Sequence, residues 1–259
     1  LCNNPGVTTQ NRPYRPDDFS ADAAGYLDSL TNRGFAFVHA GVMDSAFGGI
    51  LDGKQWPEFA ASWNDLAPDT YLAERGRFRR RRHAVFSVMH DGDIVREPHQ
   101  PHYQSRIYNS LQGNIERWFE PIATSTDDGN VLWRILKFCA DTFGALAPNV
   151  HTWRCEVHQF RIEASKDQEG QPTPEGVHRD GVDYVLVLLI DRRNIVSGTT
   201  TIHAASGNQL GSFTLTDPLD AALVDDERVF HGVTPVHPED PAKPAHRDVL
   251  VVTLKRQSN

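Results

Sequence analysis

The chain has 259 residues, 39% of them hydrophobic, and a formal net charge of −8. That length supports one large core or two small ones, and the charge excludes a global attraction to nucleic acid or to an anionic membrane. No run of about 18 apolar residues occurs, so no membrane-spanning helix is expected, and the polar opening stretch LCNNPGVTTQNRP carries no signal-peptide pattern.

Residues 1–16 read as a loose arm. PDDFSADAAGYLDSLTNRGF reads as a helix, with Asp17 or Asp18 as its cap, Phe19, Ala23, Tyr26, Leu27 and Leu30 as its apolar stripe, and Gly34 as its stop. FAFVHAG follows as a short strand. The basic run RFRRRRH, Arg77 to His83, resembles a nucleic-acid patch, which the net charge disfavours; as a strand it sends Arg79 and Arg81 to one face and Arg80 and Arg82 to the other. A second helix is expected near residues 112–122. A third falls in DDGNVLWRILKFCADTFGAL, capped by Asp127 or Asp128, with Leu132, Ile135, Leu136 and Cys139 on one face against a sheet. The three cysteines, Cys2, Cys139 and Cys155, are an odd number without CxxC spacing. They argue against a disulfide framework or structural zinc and for a reducing cytoplasm.

From residue 153 the pattern changes. WRCEVHQFRI alternates, DYVLVLLI is a continuous apolar strand, GTTTIHA and LGSFTL flank the turn ASGNQ, and AALVDD, RVFHGV and RDVLVVTLKR complete the series. The expectation is one α+β domain with a mainly β core over residues 1–259. A jelly roll (double-stranded β-helix) would occupy about 151–256, supported by a helix-rich stretch over about 17–150.

His178 and Asp180 stand two residues apart at the mouth of the DYVLVLLI strand, where i and i+2 share a face. Two imidazoles and one carboxylate leave half of a metal's coordination sphere open, which suits non-heme Fe(II) that must also bind O2 and an organic ligand. Candidates for the second imidazole are His203, His231, His237 and His246. His231 is preferred, on a strand and followed by Gly232. Arg247 then opens the last strand, where a guanidinium can grip a carboxylate in a bidentate fork. In VHQFRI, His158 and Phe160 share one face and Gln159 and Arg161 the other; whichever face lines the barrel contributes to substrate or co-substrate binding.

The segments RFRRRRHAVF, HYQS, ERWFEPI, VHQFRI, PTPEGVHRDGVDYV, GSFTLTDPLDAALVDDERVFHGVTPV and RDVLVVTLKR resemble the bacterial Fe(II)/2-oxoglutarate dioxygenases of the isoleucine 4-hydroxylase type, which act on free aliphatic amino acids. The resemblance runs from about Tyr71 to Arg256 and is densest from Pro172 to Leu254. It implies Fe(II) on His178, Asp180 and His231, 2-oxoglutarate and O2 as co-substrates, and Arg247 on the distal carboxylate of 2-oxoglutarate. Many 2-oxoglutarate oxygenases carry Ser or Thr two residues after that arginine. Here the position is Val249, so a second group is expected from Thr214, Thr216 or Thr253, with Thr216 and Gln159 taken as co-substrate contacts. Arg79, Arg81, His158 and Arg161 are taken as substrate contacts.

Retention of Asp180 favours hydroxylation over halogenation. Desaturation or ring closure by the same iron chemistry, a jelly-roll binding protein without turnover, and a zinc hydrolase on the same three ligands are the alternatives. The expected partners are an amino-acid substrate and at most a second copy of the chain, with no nucleic acid and no membrane.

Overall fold

The computed structural model describes residues 23–73, 79–124 and 131–257. In chain order these form α1 (Ala23–Arg33), β1 (Phe35–Val38), α2 (Ala40–Ala46), α3 (Gln55–Ala61), a 3-10 turn (Ser62–Asp65), β2 (Ala67–Pro68), α4 (Thr70–Ala73), β3 (Arg79–Met89), β4 (Ile94–Arg96), β5 (His102–Tyr103) and β6 (Glu116–Arg117). There follow α5 (Val131–Leu146), β7 (Thr152–Ala164), β8 (Tyr184–Arg193), β9 (Ile195–Ser197), β10 (Thr199–His203), β11 (Gln209–Thr214), β12 (Ala221–Asp225), β13 (Phe230–Val233), β14 (Val236–Pro238) and β15 (Ala245–Arg256).

Strands β1, β12, β8, β15, β7, β3 and β2 lie in that order in one eight-stranded sheet, with β4 added on β3. The three-stranded sheet β11-β10-β13 packs against it through Phe37, Val185, Leu189, Ile202 and Phe213. The two layers make a jelly roll. Period-2 alternation divides each long strand between two environments. On β7, Trp153, Cys155 and Val157 join Leu132, Ile135, Leu136 and Cys139 of α5 in the outer core. Arg154, Glu156, His158 and Phe160 face the interior of the roll. Both described cysteines are buried and unpaired, as expected of small core residues.

Three sequence expectations change. Residues 112–122 form no helix: a turn leads into β6, and the chain then runs beside β3, with His83 N–H donating to Glu120 O (3.0 Å) and Ile122 N–H to His83 O (3.1 Å). Pairing with the open edge of β3 outweighs the weak helical pattern of a segment that also contains Pro121. The region up to residue 150 is more than helical support, because β1 pairs with β12 and β3 pairs along its whole length with β7. His178 and Asp180 are not on the buried strand; β8 begins at Tyr184, after Gly181 at φ +81° has turned the chain. Cys2, Asp17, Asp18, Phe19, Asp127 and Asp128 lie outside the described residues.

Candidate metal centre and substrate cavity

His178 and His231 are brought together by a two-residue antiparallel bridge: His178 N–H donates to His231 O (2.8 Å) and His231 N–H to His178 O (2.9 Å). Their rings lie 4.7 Å apart between centroids. Asp180 Oδ1 is 3.6 Å from His178 Nε2 and Asp180 Oδ2 is 3.5 Å from His231 Nε2. Cis ligands at roughly 2.1 Å from a metal stand roughly 3 Å apart, so a small inward turn of each side chain closes the set on an ion.

His178 Nδ1 lies 3.0 Å from the Gly176 carbonyl, to which it can only donate. Against its burial, Asp180 and Glu175 raise the ring's pKa to about 10, so Nε2 carries a proton that a metal would displace. The carboxylate of Asp226 accepts from the backbone N–H groups of Asp180 (3.0 Å), Gly181 (2.8 Å) and Val182 (3.2 Å), fixing the loop that carries Asp180. Gln104 Nε2 donates to Asp180 Oδ1 at 3.1 Å. Burial and the charge of nearby Asp180 push Asp226 up to about 6. Burial and the neighbouring His178 bring His231 down to about 4. A neutral His231 keeps its nitrogen available as a ligand, and two imidazole nitrogens and a carboxylate converging within 4.8 Å of one another fit Fe(II).

Arg247 is 1% exposed, and its Nε and Nη2 have no hydrogen-bond partner. An unpaired buried guanidinium is costly, and the fit is to an incoming carboxylate such as that of 2-oxoglutarate. Burial, then the charge of Arg192, lowers its pKa to about 10, so it remains cationic at neutral pH. Arg192 stands directly across the β8–β15 register from Arg247 and has a buried, unpartnered Nη1. Gly198, at φ +75°, packs beside them: a Cβ there would lie 2.8 Å from Val236 Cγ1 and 3.2 Å from Arg192 Nη1.

A cavity of about 220 Å³ opens beside Asp180, walled by β3, β7, β15 and the Gln104–Asn109 loop. Arg79 and Arg81 both reach it, joined by Arg117. Arg79 is committed to Asp69 (2.8 Å). Arg81 is 2% exposed and stacks over Phe119, its Cζ 3.5 Å from the ring centre, with Phe160 at 4.7 Å. The Nε atoms of Arg81 and Arg117 have no partner.

Beside them lies a second convergence of possible ligands, His83, His102, Glu156 and His158. Its hydrogen bonds point to a closed polar net. Arg81 Nη2 donates to His158 Nδ1 at 2.7 Å, which forces the proton of that ring onto Nε2. Glu156 accepts from His102 (2.6 Å), His83 (3.2 Å) and Arg154 (3.2 Å). Burial holds the three histidines below their usual range, and these donors keep Glu156 ionised despite its own burial.

The remaining anticipated contacts lie elsewhere. Gln159 is on the outer face of β7 and donates to Ser62 Oγ at 2.8 Å, away from the cavity. Arg161, on the same face, is bound to Asp248 (2.6 Å) and Asn64 (3.0 Å). Thr216 is exposed after β11 and held by Asp220, its N–H 2.9 Å from Oδ2. Thr214 pairs with Thr199 (2.9 Å), whereas Thr253 lines the cavity. The face of β7 bearing His158 is therefore the lining face. Asp226, Gln104, Arg117, Glu156 and Arg192 were not anticipated; DD before the RVFHGV strand was the one signal that pointed near Asp226.

A jelly roll carrying a two-histidine, one-carboxylate set and a buried arginine defines an Fe(II)/2-oxoglutarate oxygenase. Residues 60–253 match the 2OG-Fe dioxygenase family model, and the chain belongs to that family. Its iron, 2-oxoglutarate and O2 requirements follow from that membership. The chain is 22% identical over 240 residues to a 3(1)-hydroxy-L-isoleucine 4-dioxygenase of Pantoea ananatis, covering 89% of this chain and 95% of that protein. It is 29% identical over 167 residues to an L-isoleucine-4-hydroxylase of Bacillus thuringiensis, covering 62% and 68%. The crystal structure of a bsmA homolog from Methylobium petroleophilum superposes with a TM-score of 0.82 at 37% identity, covering 90% of this chain and 94% of that one.

Proposed function

We propose that this dioxygenase hydroxylates an unactivated C–H bond of a free amino acid. The observation that carries the reading is one cavity with a metal-ligand carboxylate, Asp180, at one side and two incompletely paired guanidinium groups, Arg81 and Arg117, in its wall. His178, Asp180 and His231 would hold the iron, and Arg247 would anchor the far carboxylate of 2-oxoglutarate. Iron with 2-oxoglutarate and O2 supplies the oxidising power, and the protein supplies orientation and a sheltered site.

Arg81 and Arg117 would grip the substrate carboxylate. Arg81 is preorganised by its aromatic sandwich and Arg117 by Gln112 Oε1 at 2.6 Å and Gln104 Oε1 at 3.2 Å. His158, a neutral donor at Nε2, adds a hydrogen bond from the same wall. Phe160, Val182 and Val251 offer the apolar surface for a side chain. The names of the curated relatives, which act on isoleucine and a hydroxyisoleucine, support an aliphatic amino acid. The described residues contain no helix long and apolar enough to cross a membrane, and the buried free thiols suit a reducing cytoplasm.

The test is succinate formation from 2-oxoglutarate in air with Fe(II), across a panel of free amino acids. Succinate that rises with one amino acid and is lost in His231→Ala supports the reading. Iron-loaded protein that ignores every amino acid in the panel contradicts it.

A further inference from the structure

A free amino acid carries an ammonium group as well as a carboxylate, and an ammonium taken out of water needs an anionic partner. Three carboxylates line the cavity: Glu156, Glu175 and Asp180. Glu156 is saturated, Oε2 by His83 and His102 and Oε1 by Arg154. Asp180 is committed to the two histidines and Gln104.

Glu175 remains. Its side chain is 15% exposed, and among the described residues its nearest charged neighbour is His178, Oε1 lying 3.3 Å from Nε2. That nitrogen is the one a metal would take, and the proton that Glu175 faces there would then be displaced. Glu175 and Arg117 both line the cavity. The segment bearing Glu175 is also firmly held: Thr173 Oγ1 accepts from Val233 N–H (2.9 Å) and donates to Val233 O (3.2 Å), and Gly176 N–H, at φ +84°, closes the turn on Thr173 O (2.9 Å).

We propose that Glu175 is the receptor for the substrate's α-ammonium group, opposite Arg81 and Arg117 on its carboxylate, so that the cavity selects free α-amino acids over deaminated or N-acylated acids. This rests on the amino-acid reading above and adds the residue that enforces it. Glu175 lies beside the metal ligands, so the amine end of the substrate enters closest to them. Oxidation then falls on carbons within a few bonds of the amine.

Binding to the anaerobic Fe(II)–2-oxoglutarate holoenzyme tests this by calorimetry. The pair of probes is L-isoleucine and 3-methylpentanoic acid, its deaminated counterpart, or the equivalent pair for the panel amino acid that turns over fastest. Wild-type protein is expected to favour the amino acid at least tenfold. Glu175→Gln, close in shape but uncharged, is expected to bring the two within about twofold while retaining one iron per chain. A preserved preference in Glu175→Gln would overturn the assignment. Loss of iron from Glu175→Gln would also overturn it, making Glu175 a metal ligand. Wild-type protein that binds neither member of the pair would overturn the amino-acid reading itself, and this assignment with it.

Discussion

Arg247 and Asp226 act at the scale of single side chains, and each predicts a separable defect. Arg247 is buried with two nitrogens unpaired, and charge-assisted hydrogen bonds of that kind contribute about 1.5–3 kcal/mol each. Arg247→Met should raise the KM for 2-oxoglutarate by about tenfold or more while leaving iron binding unchanged. Arg247→Lys should recover only part of it, since an ammonium has no planar fork; full recovery would show that charge alone suffices. Asp226 holds three backbone N–H groups of the Asp180 loop. Asp226→Ala should weaken iron binding by about 10–100-fold, the usual effect of losing an outer-shell partner, and a titration of iron against chelator reads it. The convergence of His178, Asp180 and His231 and the burial of Arg247 follow the sequence expectation, because the spacing of the HxD pair has chemical meaning. Asp226 was not legible in the sequence, because a carboxylate that serves backbone amides across 46 residues follows no local pattern. Thr216 was misjudged for a similar reason: Asp220, four residues on, captures it into a turn.

At the scale of elements, the Asp180 loop and the faces of β7 decide the site. Gly181 adopts φ +81°, and a Cβ there would lie 2.4 Å from the Tyr108 ring. Gly181→Ala should therefore lower both thermal stability and iron content, by the combined cost of a left-handed conformation and a blocked contact. Unchanged iron occupancy would mean that the loop geometry tolerates the shift. The sequence gives the alternation of β7 plainly, yet it does not say which face is inward. Packing decides that: Trp153, Cys155 and Val157 bury against α5, so His158 and Phe160 must line the roll and Gln159 and Arg161 cannot. The helix expected near 112–122 failed because the edge of β3 offered backbone pairing that a local pattern does not reveal.

At the scale of the whole molecule, the jelly roll was legible from residue 153 onward, where strands follow one another with turns between them. The contribution of β1 and β3 to the same sheet was not, because it depends on pairing between distant segments: Phe35 lies opposite Val224 and Arg79 opposite Ile162. That long-range closure also buries the polar net of His83, His102, Glu156 and His158, with a consequence for acid stability. Burial brings His102 down to about 4, although Glu156 works against it, whereas an exposed imidazole titrates near 6.5. Between those values the unfolded chain takes up a proton that the folded chain refuses. The contribution is complete above about pH 6.5 and is lost as pH falls towards 4. The fall in urea midpoint between pH 7 and pH 5 should therefore be smaller in His102→Asn, which keeps a donor for Glu156 without the titration; an equal fall in both proteins would contradict it.

Oxidation of a free amino acid, held in the cavity beside Asp180, is the reaction expected of this Fe(II)/2-oxoglutarate site. Its most direct test is isotopic: incubation of the Fe(II) enzyme with 2-oxoglutarate and the amino-acid panel under 18O2, followed by mass spectrometry. One labelled oxygen is expected in a hydroxylated amino acid and one in succinate, formed in equal amounts. Labelled succinate whose yield is the same with and without every amino acid, and no labelled amino acid, would contradict it.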